Sequence, residues 1–121
     1  MLPQFLLPET VAQRDGVGAI IAIKNDGKPL AFNLGITRII EQESLEVSIW
    51  GSADRHHWRQ IAIFPQKFYC GSYSLVVDLA RHPEVRFLRA QWNMSRWRDA
   101  SPLFGFYVYA EEVKVQHAGA A

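Results

Sequence analysis

LEVSIWGSADRHHWRQIAIF, residues 45–64, is the stretch whose reading decides the fold. Leu45, Val47 and Ile49 alternate with Glu46, Ser48 and Trp50, and a period of two is the mark of a strand with one buried face. Gly51, Ser52 and Asp54 supply turn chemistry. Trp58 to Phe64 then alternates again until Pro65, which cannot donate to a strand ladder, stops it. Two strands with a loop of several residues between them make a hairpin, so the chain is built at least in part from antiparallel sheet.

The same signals recur on both sides. Before the hairpin, AIIAI at residues 19–23 reads as a buried strand closed by Asn25, Asp26 and Gly27, and PLAFNLGITRII at 29–40 reads as a longer one in which Gly35 marks a bulge or a close backbone approach. After it, YSLVVDL (73–79), VRFLRAQW (85–92) and FGFYVYAEEVKV (104–115) complete a set of seven or eight strands. No segment has the 3.6-residue period of an amphipathic helix. Turn signals at this spacing predict an all-β, antiparallel β-sandwich of the jelly-roll kind. The first ten residues, MLPQFLLPET, hold Leu2, Phe5, Leu6 and Leu7 between Pro3 and Pro8, which predicts an extended N-terminal arm over residues 1–14 outside a sandwich at 15–115, with a short tail at 116–121.

GSADRHHW, residues 51–58, resembles the G-S-x-D-G-x-x-W turn of the discoidin, or coagulation factor 5/8 type C, domains, a branch of the galactose-binding-like jelly rolls. VRFLRAQW is similar to the R-Y-V-R-I strand of the same domains, and FGFYVYAEE to their closing strand. The resemblance implies that Asp54 shapes the turn, that Trp58 packs onto the sheet and that Ser52 completes the motif. It also implies ligand binding by loops at one end of the sandwich. Arg55 stands where that family has glycine, and its paired terminal cysteines are missing.

Composition narrows the function classes. At 121 residues, with 49% hydrophobic and 21% charged residues, the chain is long enough for one core and too short for two. Thirteen basic against 12 acidic residues leave a net charge of +1, which gives no field to attract nucleic acid. No apolar run approaches the ~18 residues of a membrane-spanning helix. The N-terminus lacks the basic stretch of a signal peptide and Cys70 is the sole cysteine, so a cytoplasmic location is favoured.

Side chains that could carry chemistry each have a plainer reading. His56 and His57 flank Asp54, but neighbours on a strand point to opposite faces and do not converge on one metal ion. Cys70 reads as a small buried thiol rather than a nucleophile. Glu41, Glu43, Glu46, Glu111 and Glu112 read as solvated, and Asp78 as a capping residue at a strand end. No phosphate loop, dinucleotide fingerprint, zinc spacing or hydrolase elbow is present, so the expectation is a protein that is not an enzyme and needs no cofactor.

Arginine and tryptophan interleave in RFLRAQWNMSRWRD (86–99), a pairing that stacks on rings and dominates interface hot spots. Alternation puts Arg86, Leu88 and Ala90 on one face and Phe87, Arg89 and Gln91 on the other. Arg96, Trp97 and Arg98 fall in a loop, where no core demands them. Two functions fit. In the first, the chain is a self-assembling structural subunit, a homo-oligomer or filament joined through Phe5, Leu6 and Leu7 of the arm and through the Arg96–Arg98 loop. In the alternative, it is a discoidin-like module that binds a carbohydrate, another polar ligand or a protein.

Overall fold

The computed structural model describes residues 4–40, 44–67, 69–94 and 103–113. Two antiparallel sheets pack face to face, as the alternation in the sequence requires. Nine strands lie among the described residues: β1 (Gln4–Ala12), β2 (Gly16–Val17), β3 (Ile21–Ala22), β4 (Pro29–Ile40), β5 (Leu45–Ser52), β6 (Trp58–Lys67), β7 (Gly71–Asp78), β8 (Phe87–Met94) and β9 (Leu103–Glu112). The first sheet runs β1-β9-β4-β7; in the second, β8 has β2 and β3 on one side and β5, then β6, on the other. The described residues contain no α-helix, only a 3₁₀ turn at Leu79–Arg81, which Asp78 caps by accepting from the backbone N–H of Ala80 at 3.0 Å.

Every second residue of the long strands enters the core between the sheets. Phe32, Leu34 and Ile36 of β4, Phe104, Phe106 and Val108 of β9, Leu45, Val47 and Ile49 of β5, and Leu88 and Ala90 of β8 are all buried. Trp92 meets Phe106 edge to face across the gap and donates its indole N–H to the Arg14 carbonyl at 3.0 Å. That bond, with the Asp15 carboxylate accepting from the Met94 N–H at 2.7 Å, ties the chain after β1 to the end of β8.

The N-terminal segment corrects the expectation of an arm outside the sandwich. Residues Gln4–Ala12 are an edge strand paired with β9, and Leu6 and Leu7 are only 1% and 5% exposed, covered by their own chain. Two adjacent buried leucines break a period of two, and the strand accommodates them with register shifts on both sides of Leu7. Pro8 lies in the second shift, on an edge strand, where its missing N–H interrupts no interior ladder. Burial of two leucines contributes roughly 1.5–3 kcal/mol each. Phe5 points outward, edge-on to Tyr107 and Tyr109. Tyr107 in turn lies across Gly35, where an added Cβ would come within 2.2 Å of the ring, so the glycine in β4 marks a close side-chain approach.

The stretch expected as a strand at 19–23 is one only at Ile21–Ala22. Cys70 also departs from expectation: it is exposed, in the turn between β6 and β7 beside Tyr69.

Candidate functional site

The β5–β6 turn is held by side chains that replace a backbone ladder. The buried Ser52 hydroxyl accepts from the N–H groups of Asp54 (3.2 Å) and Arg55 (2.9 Å) and donates to Asp54 Oδ1 (3.1 Å). Asp54 Oδ1 also accepts from the N–H groups of His56 and His57, both at 2.8 Å, and Oδ2 lies 2.6 Å from His57 Nδ1. These bonds, led by the His57 backbone N–H, hold the Asp54 carboxyl well below the usual carboxylate range. Arg55 has φ +70°, a left-handed conformation that strains any residue with a Cβ. The position where a glycine is missing from the motif is thus the one that would favour it.

Trp58 closes the turn by donating its indole N–H to the Arg55 carbonyl at 3.1 Å. From there two stacks spread over the outer face of the second sheet. The Arg55 guanidinium lies 4.6 Å from the centroid of the Phe87 ring, and that of Arg89 lies 4.2 Å from the Trp58 ring. The register explains the grouping: Ser52 sits opposite both Trp58 and Phe87, Trp50 opposite Gln60 and Arg89, and Ser48 opposite Ile63 and Gln91. All of these side chains share the face turned away from the core. Trp50 donates its indole N–H to Ser48 Oγ at 2.9 Å, which lays its ring along the strand. Arg89 Nε is buried and has no hydrogen-bond partner among the described residues.

Beside this face, at the end of the sandwich, a cleft of about 280 Å³ is lined by Ser52, Asp54, His57, Trp58, Arg59 and Glu84, among others. Arg59 forms an ion pair with Glu84 and donates to His82 Nδ1 at 2.9 Å. Asn25 clamps the same loop, donating to the carbonyls of His82 (2.8 Å) and Val85 (3.1 Å). The titratable side chains of the cleft therefore pair with one another: Asp54 with His57, and Glu84 with Arg59. Among the described residues no three His, Cys, Asp or Glu side chains gather where they could hold a metal ion.

Of the residues singled out from the sequence, Ser52, Asp54 and Trp58 come together in this turn. Phe5 lies on the opposite sheet's outer face, Leu6 and Leu7 lie in the core, and Arg96, Trp97 and Arg98 lie outside the described residues. Sequence groups Arg55 with Trp58 in the 51–58 motif but does not bring Trp50, Gln60 or Phe87 to them. The strand alternation carried part of that signal, because it put Phe87, Arg89 and Gln91 on one face. The missing part was the pairing of β5 with β6, which slips by one residue between Ile49 and Trp50 and sets Trp50 opposite Gln60. No protein-family model and no curated protein sequence matches the chain.

Proposed function

We propose that the chain is a non-catalytic binding module and that the outer face of the β8-β5-β6 sheet takes a saccharide. The observation that carries this reading is the Trp50–Arg89 cross-strand pair, set on the solvent side with Trp58, Gln60 and Gln91 around it. A pyranose ring has a flat C–H face that packs on an indole and a rim of hydroxyls that pair with planar amides and guanidinium groups; aromatic and polar groups in this mixture suit such a ligand. Arg89 Nε, buried and without a hydrogen-bond partner among the described residues, is a donor whose burial costs free energy. Pairing of the cleft's charged groups with one another argues for binding over catalysis. The likeness of the Ser52–Trp58 turn to discoidin domains points to the same class of activity, on a sheet face rather than on end loops.

Calorimetric titration against a panel of mono- and oligosaccharides tests this. Binding is expected for at least one class of sugar, and Trp50→Ala should abolish it without lowering the thermal midpoint. No heat from any member of the panel, or equal affinity in the variant, would remove the sheet face from consideration.

A self-assembling subunit, the other function expected from sequence, loses its main premise, because the N-terminal segment covers itself. It keeps one specific support, a sheet edge without a strand partner among the described residues.

A further inference from the structure

Three long strands have a paired neighbour on one side only among the described residues: β1, β6 and β7. An open edge offers unpaired backbone N–H and C=O groups to any passing strand, and proteins blunt such edges with proline, bulges or charge. β1 carries Pro8 and two register shifts. β6 carries Pro65, Arg59 and Lys67, and its pairing with β5 slips twice. β7 has no proline and no register shift, and its one charge, Asp78, stands at its last position. It pairs with β4 without a shift from Asp78, opposite Pro29, to Gly71, opposite Ile36, and it holds neither proline nor charge from Gly71 to Val77. Val76 is 61% exposed on its outer side. A cleft of about 300 Å³ between Ile61 and Ala62 of β6 and Val76 and Val77 of β7 leaves this border of the sandwich open.

We propose that β7 is the surface through which two copies of this chain associate, by antiparallel β7–β7 pairing about a two-fold axis normal to the sheet. The first sheet already alternates in direction from β1 to β7, so a second β7 running the other way continues it. Side-chain parity restricts the register: Tyr73, Leu75 and Val77 face inward, and only odd-to-odd pairing keeps them on the core side in both copies. The register centred on Leu75 sets Tyr73 opposite Val77 of the second copy and Ser74 opposite its Val76, which covers both exposed valines. Charge favours the same arrangement. Asp78 is the one charged residue of the strand, and antiparallel pairing carries it to the end where the other copy's Lys67 ammonium lies 4.4 Å from the Tyr73 ring centroid. Parallel pairing would set the two Asp78 carboxylates side by side. This inference is independent of the saccharide reading, since the two surfaces lie on different sheets.

Light scattering after size exclusion tests it on the full chain. A dimer that dissociates on dilution is expected, and Val76→Lys, at an exposed position, should give a monomer with unchanged circular dichroism and thermal midpoint. In a Cys70→Ser background, Ser74→Cys with Val76→Cys places thiols across the two-fold in directly opposed positions, ~4.5–5.5 Å between Cα atoms, within disulfide reach. Oxidation should yield a covalent dimer. A monomer at every concentration overturns the proposal, as does a dimer that survives Val76→Lys and fails to cross-link. Monomeric protein with β7 amides protected from hydrogen exchange would assign the border to another segment of the same chain, and that too overturns it.

Discussion

The guanidinium of Arg89 rests 4.2 Å from the ring centroid of Trp58, so β8 is stapled to the start of β6 across β5, which lies between them. A cation over an indole contributes roughly 0.5–1 kcal/mol at an exposed site and more when desolvated. A double-mutant cycle of Arg89→Ala and Trp58→Ala, followed by chemical denaturation, should therefore return a coupling energy of about 0.5–2 kcal/mol. Additive single effects would mean that the two side chains are neighbours without interaction.

Leu6 carries a second expectation. Its side chain is 1% exposed in the common core, and truncation of a buried leucine to alanine typically costs ~2–5 kcal/mol. Leu6→Ala should lower the denaturation midpoint accordingly, and removal of residues 1–8 should unfold the chain rather than release a smaller folded species. A truncated protein with native circular dichroism and an undiminished midpoint would contradict the place of β1 in the sandwich.

Arg55 allows a test of backbone strain against side-chain stacking. Its left-handed φ of +70° costs ~1–2 kcal/mol for a residue with a Cβ, while its stack on Phe87 returns roughly 0.5–1 kcal/mol. Arg55→Gly relieves the first and loses the second, so its stability should stay close to that of the parent protein. Arg55→Ala loses the stack and keeps the strain. The glycine variant should thus be the more stable by about 1 kcal/mol in urea denaturation, an order opposite to that found inside strands and helices.

Asp54 sets a pH dependence. Its carboxyl titrates below the ordinary value of 3.8 in the folded chain, chiefly because it accepts from the His57 backbone N–H, and also from the His57 ring and the His56 backbone N–H. A depressed folded pKa stabilises the fold above the unfolded value and loses that contribution as pH falls through the folded one. The thermal midpoint of the parent protein should fall more steeply than that of Asp54→Asn as the solution is acidified below 3.8. Parallel curves would mean that the turn does not depend on the ionised carboxylate.

The sandwich was legible wherever a period of two ran uninterrupted, as in Leu45–Trp50 and Phe104–Ala110. It was hidden where bulges broke that period. Leu6 and Leu7 are adjacent and both buried, a pattern that alternation cannot produce and that the flanking prolines made look like an arm. The turn residues Ser52, Asp54 and Trp58 stood out because each has a local hydrogen-bonding role that short-range spacing encodes. The Trp50–Arg89 face did not, because it depends on which residue of one strand meets which residue of another, and one slip of register decides that. Cys70 was misread for a related reason: its exposure follows from the path of the β6–β7 turn, not from its neighbours in sequence.

The strand order also bears on the kinetics of folding. β8 is one of the two inner strands of one sheet and β9 lies between β1 and β4 in the other, so both layers are completed from residues 87–112. A nascent chain can close the β5–β6 hairpin early, but β1 must wait for a partner some hundred positions away, with Leu6 and Leu7 bare until then. Contacts of such sequence separation give slow, ms–s folding. Synthesis halted before Leu103 would leave the second sheet facing a first sheet that lacks its central β9, with β1 unpartnered and β4 paired only with β7.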